Sequence, residues 1–426
     1  MTRPMSDDHA AGAAGRSRPD VADVAVGGGG SVGLTAALAI RHADPRARVL
    51  LIDARPPAAD QRGPSDERAL AIAAAARRML TRLGVWHRVE ALAQPVQEMV
   101  VTDSRLRDLV RPVFLSFDGE LEPGEPFVHM VPAGALSAAI AAAAVEAGVE
   151  ILAPETVSDF EADGTGITIR LGSGAERRAR LLVAADGVRS RLRGLAGIGV
   201  VRSDYRQTAI VVTVAHERPH EGRAVEHFLP SGPFAILPLT GNRSSLVWTE
   251  RTEEAERLMS LEDFTFEIEL ERRFGGALGA VTVDGPRRAH PLGLTLVRSF
   301  VADRFALVGD AAHGIHPIAG QGLNMGFRDV AALAEVVVEA RRLGLDPGAA
   351  DVLARYQSWR RFDTVEMGLV TDGLNRLFRT DINPLRVARD IGLGIVDRLP
   401  GLKRRFIREA AGVGGTLPRL MRGEAI

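Results

Sequence analysis

The stretch from Val21 to Asp53 restricts the fold more than any other part of the chain. Val21-Ala22-Asp23-Val24-Ala25-Val26 is a short apolar run that enters Gly27-Gly28-Gly29-Gly30-Ser31-Val32-Gly33 and then the helix-forming Leu34-Thr35-Ala36-Ala37-Leu38-Ala39-Ile40. Gly28, Gly30 and Gly33 fit G-x-G-x-x-G, and a second apolar run, Val49 to Ile52, ends in Asp53 about 20 residues further on. A glycine pattern alone says little. With a strand before it, a helix after it and an acid closing the next strand, it describes a βαβ unit that seats a dinucleotide pyrophosphate on a helix N-terminus. Gly28 then makes the tight turn, Gly30 admits the pyrophosphate, Gly33 lets helix and strand approach, and Asp53 hydrogen-bonds a ribose. A solvated acid at a strand end is the plain alternative for Asp53.

A second strand, loop and helix lies near the other end. Phe305 to Val308 is followed by Gly309-Asp310-Ala311-Ala312-His313-Gly314, His316-Pro317 and Gly320-Gln321-Gly322-Leu323-Asn324-Met325-Gly326, then by a long Ala/Leu/Val-rich segment. Glycines around a helix start let backbone N–H groups face electron-rich ligand atoms, such as N1 and the C2 carbonyl of a reduced flavin. Asp310 at the strand end suits a ribityl chain. Gly309, Pro317, Gly320, Gly322, Leu323 and Asn324 complete this side of the cofactor site. Between the two units, Leu181 to Ala184 delivers Asp186-Gly187-Val188-Arg189, a carboxylate and a guanidinium suited to a hydroxyl and a phosphate; Asp-Gly is also a common turn. Arg68 opens a helix expected over Arg68 to Leu83, and either reaches the cofactor or stands on the helix surface.

The chain has 426 residues, 46% of them hydrophobic, enough for two domains and an extension. Its net charge of -1 gives no sign of a nucleic-acid partner. With no cysteine there is no disulfide, thiolate nucleophile or iron–sulfur site, so redox chemistry needs a borrowed cofactor. Residues 1–20 read as a disordered tail without the apolar core of a signal peptide, and charges interrupt every run long enough to span a membrane. The chain is thus expected in the cytoplasm. Ala135 to Ala147 reads as a helix, and Ile167 to Leu171, Thr208 to Ala215, Ala224 to Leu229, Phe234 to Leu239 and Ser245 to Thr249 as strands. Leu261 to Phe274 is an amphipathic helix. The expected class is α/β: a Rossmann-like cofactor domain over 21–190 and 298–345, with parts of 85–135 turned to the substrate side, an inserted α+β substrate domain of mixed or antiparallel sheet over 191–297, and a helical extension over 346–426. Arg376, Arg379, Arg386, Arg389, Lys403, Arg404, Arg405 and Arg408 stand among apolar residues in that extension. They suit either peripheral contact with the inner face of a membrane or an ordinary solvated helix face.

Gly28 to Gly33, Asp186-Gly187 and Gly309-Asp310 together resemble the three fingerprints of flavin-dependent aromatic hydroxylases of the para-hydroxybenzoate hydroxylase type. Asp66-Glu67-Arg68-Ala69-Leu70-Ala71, Leu83-Gly84-Val85-Trp86, Gly232-Pro233-Phe234-Ala235-Ile236-Leu237-Pro238-Leu239 and Leu399-Pro400-Gly401-Leu402-Lys403 are similar to the branch that hydroxylates polyprenylated phenols in ubiquinone biosynthesis. Gly27 and Pro132-Ala133-Gly134 depart from that family's usual residues. The resemblance implies FAD, reduced by NADPH or NADH, and molecular oxygen, passing through a C4a-hydroperoxide to an electron-rich ring. It implies a polyprenylated phenol as substrate, with other ubiquinone-biosynthesis proteins as potential partners, and requires neither metal nor protein nucleophile. His227, Tyr205 and His290 are candidates for a base on the phenol. A soluble aromatic or polyketide as substrate, or a non-catalytic prenylquinone-binding flavoprotein, are the alternatives.

Overall fold

The computed structural model describes residues 21–56, 68–103, 113–118, 120–316, 320–379 and 400–426. The expected tail, residues 57–67, Pro317, Arg386 and Arg389 lie outside the described residues.

β1 (Val21–Gly27), α1 (Ser31–Ala43) and β2 (Val49–Ile52) form the expected βαβ unit. The two strands are parallel, with Val24 beside Val49 and Gly27 beside Ile52. The strand Glu150–Leu152 adds to the outer edge of β2, and Glu176–Ala184 pairs with β1 on the other side. Phe305–Leu307 continues the parallel order beside the second half of Glu176–Ala184, whose first half pairs antiparallel with Gly166–Leu171. The central strands are buried on both faces, which is why they read as unbroken apolar runs.

A second sheet carries the inserted part. Its backbone is the 17-residue strand Val200–His216, flanked by Arg288–Val297 and Arg243–Arg251. Beyond these come Gly232–Leu239, Arg223–Leu229, Glu98–Asp103 and Val113–Asp118. Period-2 alternation gives the sheet two different faces. Ile210, Val212, Phe234, Ile236, Leu246 and Trp248 pack beneath Thr252–Met259 and Asp263–Phe274 in a core of their own. The other face is turned towards the cofactor sheet. The loop after Phe305–Leu307 supplies this sheet's last edge strand, His313–Gly314, so the second glycine-rich loop is shared by both sheets.

One expected element changes type. The helix expected from Arg68 begins as a strand, β3 (Ala69–Ala73), and turns helical only at α2 (Ala74–Arg82). Alanine favours helix, but Val128–Pro132 supplies antiparallel partners from Ala69 to Ala73, and this tertiary pairing outweighs the local preference.

After α3 (Ala133–Glu146), α4 (Arg191–Leu195), α5 (Thr252–Met259) and α6 (Asp263–Phe274), α7 (Gln321–Arg342) and α8 (Ala350–Arg379) complete the described core. Asp329 of α7, fully buried, accepts hydrogen bonds from the Gly309 backbone N–H at 2.9 Å and from Arg360 Nε of α8 at 2.7 Å, and lies 2.6 Å from His313 Nε2. Burial alone would push its carboxyl up; His313 and Arg360 outweigh that and hold it below the usual range. Tyr356 donates to the Leu307 carbonyl at 2.7 Å. Asp329→Ala leaves the buried Arg360 guanidinium with Asp363 as its remaining acidic partner among the described residues and the Gly309 N–H without its acceptor, and is expected to cost about 3 to 5 kcal/mol. Urea unfolding followed by circular dichroism checks this, and an unchanged midpoint would show that the triad adds no stability.

Candidate functional site

Each glycine of the first loop answers to a different steric demand. Gly28 has φ +113°, and a Cβ there would lie 2.5 Å from the Ala185 carbonyl oxygen. A Cβ on Gly33 would lie 1.9 Å from the Gly28 carbonyl oxygen, so only glycine lets α1 approach the strand. Gly30 is different: its backbone is ordinary (φ -69°, ψ 176°) and a Cβ would meet no protein atom within 4 Å. The space beside Gly30 is therefore open for a ligand. Gly30 is also the N-cap of α1, and having no side chain it leaves the first-turn N–H groups directed outward. Asp53 accepts from the Gly29 N–H at 2.5 Å and from the Arg55 N–H at 2.7 Å, so it closes its own loop while remaining half-buried.

Asp186 follows Ala185 against this loop, with Gly187 turning at φ +83°. Its carboxylate accepts from the Ser190 hydroxyl and, at 3.0 Å, from the Leu192 N–H, and Ser190 in turn caps α4 (Arg191–Leu195). Both carboxylate oxygens are thus engaged by the turn itself. Buried Arg193, which no motif in the sequence marks, donates to the Val188 carbonyl at 3.0 Å and the Ala311 carbonyl at 2.8 Å. It ties the Asp186 turn to the Asp310 loop.

The second loop meets the first at Val32. A Cβ on Gly309 (φ +61°) would come within 3.0 Å of Val32 Cγ1, and one on Gly326 within 2.9 Å of Val32 Cγ2. Gly320 starts α7 in the left-handed conformation at φ +64°, 2.7 Å from Ala71 Cβ if it carried a Cβ, whereas Gly322 faces open space. Asn324 Oδ1 accepts from the Ala73 N–H at 3.0 Å, and its Nδ2 donates to the Ala71 carbonyl at 2.9 Å and the Gly320 carbonyl at 3.1 Å. Its side chain fastens β3 to α7 and positions the loop from behind. Asp310 is exposed at the foot of the cleft and makes no hydrogen bond with a described residue. Crowding by protein raises its carboxyl, with His313 pulling the other way.

Arg68, Asp310, Gly320, Gly322 and Leu323 line one side of a cleft of about 460 Å³. The second sheet forms the opposite wall through Ala209, Val211, Ala224, Ala235, Val247 and Leu292, all small or aliphatic. Of the three candidate bases, His290 lines this cleft. Tyr205 is buried against Leu292, with its ring 5.5 Å from that of His316. His227 is displaced from the expected position: on the strand Arg223–Leu229 it points to the other face, hydrogen-bonded to Thr102 and stacked on Phe234. Strand alternation puts its neighbour Glu226 on the cleft wall, 4% exposed. The signal available for it is a lone acid among Val225, His227, Phe228 and Leu229. His316 is fully buried, neither ring nitrogen has a partner among the described residues, and burial pushes its pKa down to about 4, so it is neutral at pH 7.

The open space at Gly30 and Gly322, two helix N-termini converging at Val32 and a carboxylate at Asp310 with no hydrogen-bond partner among the described residues fit an extended dinucleotide carrying a flavin ring. They define the class as a flavoprotein with an apolar chamber against its flavin site. The chain belongs to the FAD binding domain family, which matches residues 21–361. It is similar to ubiquinone hydroxylase UbiL of Rhodospirillum rubrum, 47% identical over 96% of this chain and 94% of the relative. It is also similar to 3-demethoxyubiquinol 3-hydroxylase of Escherichia coli, 33% identical over 92% of this chain and 98% of the relative. Among solved structures, p-nitrophenol 4-monooxygenase PnpA of Pseudomonas putida DLL-E4 shares the fold, with a TM-score of 0.75 at 20% identity over 93% of this chain and 99% of that one.

Because a side chain at position 30 meets no protein, Gly30→Val is expected to fold and yet abolish FAD binding. Flavin content of the purified variant checks it; normal content would remove the pyrophosphate from that space. Asp310→Ala is expected to weaken FAD binding by about 1 to 3 kcal/mol, the range for one charge-assisted hydrogen bond, read by flavin fluorescence titration.

Proposed function

We propose that this chain is an FAD-dependent monooxygenase that hydroxylates the aromatic ring of a polyprenylated phenol in ubiquinone biosynthesis. The observation that carries the reading is an apolar cleft opening onto the flavin loops in a chain that matches ubiquinone-pathway hydroxylases over more than nine-tenths of its length. When bound, the flavin takes two electrons from NADPH or NADH and activates dioxygen, so that one oxygen atom reaches the ring and the other leaves as water. The protein's own part is placement. Gly28 and Gly33 let the turn and helix close up, Gly30 admits the pyrophosphate, and Asp53 supports the adenosine end. Gly309, Asp310, Gly320 and Gly322 hold the ribityl and ring. The alanine and valine wall excludes water from the reacting face. On this reading 21–190 and 298–345 carry the cofactor and 191–297 the substrate, with Glu98–Asp103 and Val113–Asp118 joined to the substrate sheet.

A prenylated substrate lies in a bilayer, and no helix among the described residues is long and apolar enough to cross one. Two surface features suit contact with its face. Phe362, Val365 and Leu369 of α8 are 73%, 42% and 64% exposed, and their spacing of three and four residues sets them on one side of the helix. Arg404, Arg405 and Arg408 are exposed on the helix Pro400–Ala410, whose last residue lines the cleft. Insertion of apolar side chains and attraction to anionic headgroups would then both contribute to the attachment.

Oxidation of NADPH by the purified holoenzyme is expected to be stimulated by a prenylated phenol and coupled to hydroxylated product. Equal turnover of an unprenylated phenol would point to a soluble substrate, and no stimulation by either would leave a non-catalytic flavoprotein. The full chain is expected to sediment with anionic liposomes at low salt, and a variant with Phe362 and Leu369 changed to Ser to remain largely in solution. Equal sedimentation of the two would sink the α8 contact.

A further inference from the structure

The cleft wall carries a buried carboxylate that neither cofactor binding nor the apolar lining explains. Glu226 sits in the middle of Arg223–Leu229, a strand flanked on both sides, where its direct neighbours across the sheet are Val101 and Ala235. It is 4% exposed, lines the cleft, and makes no hydrogen bond or ion pair with any described residue. A buried carboxylate without a partner is costly, and a site that keeps one is usually built to meet a donor brought by a ligand. On this wall Ala224, Pro233, Ala235, Leu237 and Val247 cannot hydrogen-bond through their side chains, and the Thr249 hydroxyl, which also lines the cleft, has no partner among the described residues. We propose that Glu226 receives the phenolic hydroxyl of the substrate, orienting the ring in the cleft and taking its proton. This rests on the reading of the cleft as a phenol site and adds the group that recognises the phenol.

The step moves one proton and no electrons between molecules. The phenol O–H bond breaks, the proton joins a Glu226 carboxylate oxygen, and the electron pair left on the phenolate oxygen is shared with the ring, raising its reactivity towards the electrophilic oxygen. Burial pushes the Glu226 carboxyl up to about 7, so it gains and loses a proton near neutral pH. The other titratable groups lining the cleft are Arg68, Asp310, His290 and His316. His316, pushed down to about 4, stays neutral across the relevant range, and Asp310 stands on the flavin side of the cleft.

The test uses FAD-loaded enzyme, wild type and Glu226→Gln, with a prenylated phenol, an unprenylated phenol and the methyl ether of each. Wild type is expected to bind each phenol more tightly than its ether above pH 7, and its kcat/KM for the phenol to rise with pH through about 7 as the carboxyl ionises. Glu226→Gln is expected to lose that rise, to lower kcat by about 100-fold or more, and to bind both methyl ethers as wild type does. A variant with wild-type kcat and pH profile overturns the assignment. So does a wild-type enzyme that binds phenol and ether equally, a measurement that needs no variant to fold. If wild type prefers both phenols over their ethers but hydroxylates only the unprenylated one, the prenylated substrate falls and Glu226 stands. If neither phenol binds, both readings fall together.

Discussion

The carboxylate of Asp329 is where the two halves of the molecule are held in register. It lies on α7 behind the flavin loop, holds the first N–H of that loop, faces His313 at the loop's far end, and pairs with Arg360 of the following long helix. A charge placed this deep is tolerable only when all its partners are present. Each partner belongs to a different element: the strand end at Gly309, the edge strand of the second sheet at His313 and the C-terminal helix at Arg360. Tyr356, one turn before Arg360, adds a bond to the Leu307 carbonyl in the strand that delivers the loop. The geometry of the Gly309–Gly314 loop is thus fixed from its buried side, and its other side is free to face a ligand.

Around this anchor the site is assembled by close approach more than by polar contacts. The Val32 side chain lies between Gly309 and Gly326, so the first turn of α1 meets the second loop and α7 through this one side chain. Arg193 and Asn324 then fasten the neighbouring loops through backbone carbonyls and N–H groups. Several polar side chains that a motif reading assigns to the ligand are already engaged with the protein's own backbone. Asp53 and Asn324 show this most clearly: each buttresses the loop whose glycines form the open surface.

The cofactor half was legible in the sequence because its signals are local. A strand, a glycine turn, a helix and a second strand follow one another within a few dozen residues, and the steric demands on Gly28 and Gly33 arise inside that unit. What the sequence concealed depends on partners distant in the chain. Asp329 and Arg360 look like ordinary helix-surface charges until the helices pack. The alanine-rich start at Ala69 has a helical composition, and becomes a strand only because Val128–Pro132 lies alongside it. The position of Glu226 was the hardest to read, since it requires knowing which face of the second sheet meets the flavin loops. Both faces of Arg223–Leu229 are buried, so hydrophobicity does not distinguish them.

That strand constrains how its gene segment can vary. Substitutions along it act one residue at a time, and the chamber can tolerate them in graded fashion. A single-codon insertion or deletion within it is a different event, because neighbouring positions face opposite sides. It would exchange Glu226 for His227 on the cleft wall and drive an acid into the aromatic packing beside Phe234. Spacing is therefore as strongly constrained here as residue identity, and length variation among homologous chains belongs in the turns at either end of the strand and not within it.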